Sequence, residues 1–118
     1  MLVDDQKLTN FINKKLIEVT NFAPDIIDFT LPKKALTHLK KNKPDLIFLD
    51  LNMPLVDGWQ FLDTMRNKGI KTKVIILTSS MSNQDKERAK EYESVVEFLT
   101  KPLTLSNIIH LKSTICAS

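Results

Sequence analysis

The feature that most constrains the fold of this chain is the alternation of two apolar patterns along it. Unbroken apolar runs, such as LIFL at 46–49 and VIIL at 74–77, alternate with longer stretches in which apolar residues recur at helical spacing. Unbroken runs are typical of strands buried on both faces, and the longer spacing is typical of amphipathic helices. The alternation predicts an α/β fold: a parallel sheet with helices on both faces.

Five strands and five helices are predicted from this pattern. The strands cover residues 1–3, 25–29, 46–49, 74–77 and 95–99, and the helices cover 7–20, 33–41, 58 to about 68, 82 or 83 to 92, and 105 to about 112. Ser82 or Asn83 and Thr104 are suitable helix N-caps. The fourth helix offers mainly Ala89 and Tyr92 to a core, so we expect it to be loosely held. In the first helix, one apolar stripe is expected to face the core, formed by Leu8, Phe11, Ile12, Leu16 and Val19.

Composition limits the class of protein. A chain of 118 residues with 42% hydrophobic and 26% charged residues is expected to form one domain over residues 1–118. Its single cysteine, Cys116, excludes an internal disulfide and suits a reducing compartment. The sequence shows neither an apolar run long enough to cross a bilayer nor the pattern of a signal peptide, so we expect a cytoplasmic protein.

The net charge of +3 raises the question of a nucleic-acid partner. Acidic and basic residues interleave along most of the chain, and neither an aromatic residue nor an arginine stands among the clustered lysines. We therefore interpret the cluster as a solvated helix face and expect no direct binding of nucleic acid. The lysines concerned are Lys33, Lys34, Lys40, Lys41 and Lys43.

Short polar and charged residues follow four of the predicted strands. Asp4 and Asp5 follow the first, Asp50 the third, Thr78 the fourth and Lys101 the fifth. Ligands of such sheets bind beyond the carboxyl ends of the strands, so these side chains are expected to meet at one edge. Carboxylates about 5 Å apart would repel each other by roughly 3 kcal/mol per pair at an effective dielectric constant of about 20. Lys101 supplies one positive charge, and Mg²⁺, which favours oxygen ligands, would supply the rest.

This set of groups suits phosphoryl transfer. A carboxylate beside Mg²⁺, a lysine and a threonine hydroxyl can accept a phosphoryl group, because that chemistry requires in-line positioning and neutralisation of the phosphoryl oxygens. Aspartyl phosphate is an established type of covalent intermediate.

Taken in order, short motifs at these positions resemble the receiver domain of two-component response regulators. The resemblance spans almost the whole chain and implies a flavodoxin-like, doubly wound five-stranded parallel sheet with strand order 2-1-3-4-5. The motifs are Val3-Asp4-Asp5, the run from Pro44 to Asp50, Met53-Pro54, Asp57-Gly58, Thr78 and Lys101-Pro102.

The resemblance also implies roles for individual residues. Asp50 would be the phosphoacceptor, and Asp5 and Asp50 would bind Mg²⁺ directly. Asp4 would bind the ion through water, and Asn52 would bind it through its backbone carbonyl. The remaining residues act on the phosphoryl group or on the surface change: Lys101 would pair with Asp50 or its phosphate, Thr78 would hydrogen-bond a phosphoryl oxygen, and Phe98 would be the switch aromatic.

The function implied is that of a single-domain response regulator rather than an enzyme acting on a separate metabolite. A histidine kinase or phosphotransfer protein would donate the phosphoryl group, and the face formed by the fourth helix, fifth strand and fifth helix would change for a downstream partner. Because the chain stops soon after the last helix, we expect no output domain. Only Met1, Leu2 and Val3 precede the acidic pair, so we also expect the first strand to be shortened at its start.

Two alternatives come from other functional classes. A receiver-like domain can bind partners without phosphorylation, although such domains usually lack part of the acidic cluster or the lysine. A phosphohydrolase of the haloacid dehalogenase type also uses an aspartate nucleophile and Mg²⁺, but it places a second aspartate two positions later, where this chain has Asn52. An amide cannot serve as a general acid, which counts against that enzyme.

Overall fold

The structure, a computed structural model, describes residues 1–22, 25–53, 56–79 and 82–115. Pro54, Ser80 and Cys116, which the sequence raised as parts of motifs or as a lone thiol, lie outside these ranges. Five strands and five helices alternate: β1 (Leu2–Val3), α1 (Lys7–Val19), β2 (Asp28–Phe29), α2 (Pro32–Lys41), β3 (Leu46–Leu49), α3 (Gly58–Asn67), β4 (Lys73–Thr78), α4 (Asn83–Ala89), β5 (Val95–Thr100) and α5 (Leu105–Ile115).

The strands form one parallel sheet in the order β2-β1-β3-β4-β5. This confirms both the predicted fold class and the predicted strand order. The first strand in sequence lies between β2 and β3, so the strand order reverses there and the crossovers leave to opposite faces of the sheet. The edge beyond the carboxyl ends of β1 and β3 is therefore the expected position of a ligand site.

Alternate residues of the central strands pack into two apolar cores, one on each face of the sheet. Ile47, Leu49 and Ile76 pack with residues of α2, α3 and α4, whereas Phe48 and Ile75 pack with residues of α1 and α5. Residues 47–49 and 74–78 are all buried, as predicted for strands covered on both faces. The two cores hold the ends of β3 and β4 in fixed positions.

Strand β2 is shorter than predicted. The sequence predicted a strand over 25–29, but only Asp28 and Phe29 pair with β1. β1 has only two residues, Leu2 and Val3, so it offers few partners for a longer ladder. One further backbone hydrogen bond, from Leu2 N to Ile27 O at 2.9 Å, extends the contact toward the start of the segment.

The predicted buried face of α1 is wrong. Leu8, Phe11, Ile12 and Val19 are 69%, 58%, 49% and 74% exposed, and only Leu16 of that stripe packs against the core. The buried residues of α1 are instead Asn10, Asn13 and Ile17. The side-chain amide of Asn10 explains part of this orientation, because it donates hydrogen bonds to the backbone carbonyls of Asp4 and Phe29 at 3.0 and 3.1 Å. The face of α1 that carries Asn10 is therefore turned toward the sheet, and most of the apolar stripe faces solvent.

Helix α4 ends at Ala89, three residues earlier than predicted, although Ser82 caps its start as expected. Aromatic contacts that apolar periodicity does not reveal attach this region to α3. The guanidinium of Arg88 lies 4.5 Å from the ring centroid of Trp59, and that indole stacks on Tyr92 at 5.8 Å. The Tyr92 hydroxyl donates a 2.7 Å hydrogen bond to Asp63. Cation–π and stacking contacts therefore add to the small apolar contribution of Ala89.

Thr104 is the N-cap of α5, as predicted. Its hydroxyl accepts a hydrogen bond from Asn107 N at 3.1 Å, while the side chain of Asn107 accepts one from Thr104 N at the same distance. None of the helices in the described ranges is long and apolar enough to span a membrane.

Candidate functional site

Three carboxylates lie together where β1 and β3 end. Asp4 and Asp5 follow β1, Asp50 follows β3, and one carboxylate oxygen of each lies within 4.8 Å of the other two. Asp4 and Asp50 are each only 4% exposed, whereas Asp5 is partly exposed. A compact, all-oxygen donor set with one side open to solvent fits a hard divalent cation such as Mg²⁺.

Lys101 is the positive charge of this site. Its ammonium nitrogen lies 2.6 Å from Asp4 Oδ2 and 3.2 Å from Asp50 Oδ2, and its side chain is 20% exposed. The backbone on either side fixes its position: Lys101 N donates a 2.7 Å hydrogen bond to Thr78 O, and the peptide bond to Pro102 is cis. One ammonium faces three carboxylates, so the charge that remains at the site is negative.

Burial and neighbouring charges shift the pKa values of Asp50 and Lys101. Burial raises the pKa of Asp50 above its usual value, the neighbouring Asp4 raises it further, and the hydrogen bond from Asn52 N together with Lys101 offsets part of the shift. For Lys101, burial would lower the pKa, but the hydrogen bond to Asp4 and the charge of Asp50 outweigh burial and raise it. The ammonium is therefore charged at neutral pH, and Asp50 carries its charge at a cost that a bound cation would reduce.

Asn52 connects Asp50 to Thr78. Its backbone N–H donates to Asp50 Oδ1 at 3.2 Å, and its side-chain amide donates to Thr78 Oγ1 at 3.3 Å. Thr78 is fully buried at the end of β4, and the small, exposed Ser79 follows it. The loop after β3 and the end of β4 thus form one hydrogen-bonded unit around the Asp50 carboxylate.

Gly58, the first residue of α3, determines how closely this helix approaches the site. A Cβ atom at Gly58 would lie 2.7 Å from Leu51 Cα and 2.8 Å from Asp50 O, which is too close for any residue with a side chain. Gly58 N also donates a 2.9 Å hydrogen bond to Leu51 O. Asp57 caps the helix in a reciprocal arrangement with Gln60, so the start of α3 holds the loop that follows Asp50.

Phe98 lies outside the carboxylate group. It is half-buried on β5, pairs in register with Ile76 and packs against the core beneath α2, α3 and α4. Phe98 precedes Lys101 by three residues, and its strand, β5, is an edge strand of the sheet.

Sequence reasoning missed Asn10. Its side chain is 1% exposed, donates to the backbone of Asp4 and lines a small cavity of about 10 Å³ together with Asp4 and Asp50. Asn10 Oδ1 lacks a hydrogen-bond partner among the described residues. The available signal was the spacing of Asn10 and Asn13, which are three residues apart and therefore lie on the same face of α1. The apolar stripe on the other face of the helix was the stronger pattern.

Comparisons with known proteins agree with this geometry. The sequence profile of the response regulator receiver domain matches residues 1–112. The transcriptional regulatory protein PcoR of Escherichia coli is 28% identical over 106 residues, which are 90% of this chain and 45% of PcoR. This chain therefore spans less than half the length of that relative.

Two solved structures resemble the fold closely. A two-component response regulator from Cytophaga hutchinsonii superposes with a TM-score of 0.87 at 27% identity, covering 99% of this chain and 95% of that one. The Mn²⁺-bound form of response regulator Rcp1 has a TM-score of 0.79 at 25% identity, covering 96% of this chain and 90% of that one.

Proposed function

The chain belongs to the response regulator receiver domain family, and on that premise we propose that it is a phosphorylation-controlled switch whose phosphoacceptor is Asp50. The observation that carries the proposal is the position of the Asp50 carboxylate, buried beside two further carboxylates and 3.2 Å from the ammonium of Lys101. Receiver domains act in two-component signalling and interact with histidine kinases or phosphotransfer proteins. We assign the donor of the phosphoryl group to that class.

In the reaction, a carboxylate oxygen of Asp50 attacks the phosphorus atom of phosphohistidine. The new P–O bond forms as the P–N bond breaks, and the histidine nitrogen keeps the electron pair of that bond. Hydrolysis later cleaves the acyl phosphate, which returns Asp50 to a carboxylate and releases inorganic phosphate. The substrate of this chemistry is therefore another protein's phosphohistidine.

Mg²⁺ is the proposed cofactor. Asp5 and Asp50 would hold the ion directly, Asp4 would hold it through water, and the backbone carbonyl of Asn52 would complete the protein ligands. When bound, the ion supplies positive charge that neutralises the phosphoryl oxygens. The oxygen-only donor set supports this assignment, and the relative Rcp1 has been solved with Mn²⁺, an ion with similar ligand preferences.

Lys101 and Thr78 act on the transferred group. The Lys101 ammonium compensates its negative charge, since it already lies within hydrogen-bond distance of Asp50. The Thr78 hydroxyl donates a hydrogen bond to a phosphoryl oxygen. For this role the hydroxyl, which accepts a hydrogen bond from the Asn52 side chain at 3.3 Å, moves toward the phosphate. Movement of Thr78 toward the phosphate leaves space into which Phe98 turns.

Two exposed surfaces suit the two partners. The apolar face of α1, formed by Leu8, Phe11 and Ile12, starts within one turn of Asp5 and suits a helical phosphodonor whose histidine must reach Asp50. A second set of apolar residues, Val96 of β5 and Leu105 and Ile109 of α5, is 41%, 48% and 63% exposed. These residues lie on the face proposed for the downstream protein.

The proposed function is tested by incubating the chain with acetyl phosphate and Mg²⁺ and measuring the intact mass. A single phosphoryl adduct supports the switch. If acetyl phosphate and phosphoramidate both leave the mass unchanged, a phosphorylation-independent interaction module is favoured. Rapid turnover of an unrelated phosphoester would favour a phosphohydrolase. With a phosphohistidine donor, Phe11→Ser should slow transfer while leaving the reaction with acetyl phosphate unchanged.

A further inference from the structure

A second concave site lies at the opposite end of the sheet from Asp50. This groove of about 1020 Å³ runs between the loop that leads from α2 into β3 and the loop that leads from α3 into β4. Leu46 and Lys73, the first residues of β3 and β4, line it. Asp50 and Thr78 stand at the carboxyl ends of the same two strands, so the groove is separate from the phosphorylation site.

The groove concentrates the positive charge of the chain. It has one carboxylate, Asp45, and five lysines, whereas the net charge of the whole chain is only +3. Within the described ranges, none of the five ammonium groups lies within 4.0 Å of a carboxylate oxygen, in contrast to Lys15, Lys90 and Lys101. We call this site the basic groove; its lysines are Lys40, Lys43, Lys68, Lys71 and Lys73.

Sequence periodicity could not reveal the basic groove. Lys40 and Lys43 belong to the cluster that we interpreted as a solvated helix face, while Lys68, Lys71 and Lys73 come from a segment beyond α3. Only the packing of α2 beside α3 brings the two sets together.

Two of the lysines that line the basic groove influence each other's charge. Lys40, near the end of α2, and Lys68, directly after α3, both line the groove, and the neighbouring Lys40 lowers the pKa of Lys68. Ammonium groups that line one groove repel each other unless an anion lies between them. An anionic ligand would therefore remove an unfavourable contact as well as form favourable ones.

The floor of the basic groove is apolar. Leu39 is buried there, and Phe22, Leu46 and Ile70 are half-buried. The lining contains no arginine, whose planar guanidinium matches a carboxylate in two-point contacts; lysine instead binds phosphate as a point charge. The basic groove can therefore hold a ligand that has a flat apolar group, which would contact the floor, and several negative charges, which would contact the lysines.

We propose that the basic groove binds a nucleoside polyphosphate. Its phosphates lie between Lys40 and Lys68 and reach the remaining lysines, and its base lies on the floor beside Ile70 and Phe22. The volume of about 1020 Å³ is slightly above the range for small-molecule sites, about 300–1,000 Å³, and leaves room for a base, a sugar and several phosphates. The concave shape favours a small ligand over a nucleic-acid backbone, which needs a continuous charged surface.

The test is a calorimetric titration of the full chain with ATP in EDTA, so that metal-dependent binding at the aspartate site does not contribute. The double variant Lys40→Gln/Lys68→Gln is compared with Lys33→Gln/Lys34→Gln, which removes the same charge from exposed positions of α2 outside the basic groove. We expect the first variant to weaken ATP binding at least tenfold and the control to change it less than twofold. Thermal melts establish that both variants are folded.

Further titrants separate the contributions. Inorganic tripolyphosphate should bind more weakly than ATP, because it lacks the base that contacts the floor. Equal loss of affinity in both double variants, or an absence of heat with millimolar ATP, would overturn the proposal. Binding of single-stranded oligonucleotides that strengthens with length and displaces ATP would also overturn it, in favour of a nucleic-acid surface. Because these titrations leave Asp50 intact, their failure is distinguishable from failure of the proposed phosphorylation.

Discussion

The Lys101 ammonium lies closer to Asp4, at 2.6 Å, than to Asp50, at 3.2 Å. From the family resemblance, Lys101 was expected to pair with Asp50 or its phosphate. The structure adds that it also neutralises a second buried carboxylate, one that follows a different strand. Lys101 therefore holds together the ends of β1, β3 and β5, and its removal should affect stability as well as chemistry.

We expect Lys101→Met to lower the free energy of unfolding by about 3–5 kcal/mol in EDTA, because two buried carboxylates lose their counter-charge. Urea denaturation followed by the fluorescence of Trp59, the single tryptophan, measures this change. Lys90→Met is the matched control, since Lys90 belongs to an exposed pair with Glu87 and should change stability by less than about 0.5 kcal/mol. Equal effects of the two substitutions would contradict the assigned role.

Mg²⁺ should stabilise the chain through the carboxylates of the site. We expect millimolar Mg²⁺ to raise the Tm of the wild type, and chelation with EDTA to reverse the effect, because an ion that binds only the folded state favours that state. Asp5→Asn should remove most of the increase. Asp28→Asn, at an exposed position of β2, should retain it. An undiminished increase in Asp5→Asn would exclude Asp5 as a ligand.

Burial of Asp50 predicts that its charge costs stability when no metal is bound. The folded-state pKa of Asp50 is raised above the ordinary value of 3.8. The protonated carboxyl group therefore contributes stability that is fully present below pH 3.8 and is lost as the pH rises through the raised pKa. Asp50→Asn should therefore increase the free energy of unfolding at pH 7 in EDTA, by about 1 kcal/mol, the usual size of a single-site effect. A less stable Asp50→Asn chain in EDTA would show that the contact with Lys101 outweighs the cost of burial.

Thr78 is expected to connect phosphorylation to the surface change. Thr78→Ala should still accept a phosphoryl group from acetyl phosphate, but the backbone NMR signals of Phe98 and its neighbours on β5 should shift much less than in the wild type. Thr78→Ser keeps the hydroxyl and should preserve the shifts. Identical spectral changes in the alanine variant and the wild type would refute the coupling.

The amino group of Met1 predicts a pH dependence of stability. It donates a 2.9 Å hydrogen bond to Leu46 O, and burial lowers its pKa from 8.0 to about 6. Between these values the unfolded chain binds more protons than the folded chain, so stability should fall by about 2 kcal/mol as the pH decreases from 8 to 6. Denaturation curves across this range measure the decrease.

A short extension of glycine and serine before Met1 should abolish this pH dependence, because it moves the charged amino group away from Leu46 O. A pH dependence that persists undiminished in the extended chain would show that another group causes it.

The fold was predictable because its main signals are local in the sequence. The apolar runs of β3 and β4, and the polar residues that directly follow them, can be recognised without knowledge of tertiary contacts. The orientation of α1 was not, because the face that carries Asn10 combines two hydrogen bonds to strand ends with the burial of Leu16 and Ile17, and apolar spacing alone does not show this combination. The pairing of Lys101 with Asp4 was also missed, since motif order does not give distances. Nor does periodicity show that Lys40 of α2 and Lys68, which follows α3, line one groove.

The central claim, that Asp50 is the phosphoacceptor, is tested most directly by locating the phosphoryl group after reaction with acetyl phosphate and Mg²⁺. We predict that peptide mapping by mass spectrometry places the adduct on the peptide that contains Asp50, and that Asp50→Asn acquires none under the same conditions. An adduct on the peptide that contains Asp4 and Asp5, or equal labelling of Asp50→Asn and the wild type, would contradict the claim.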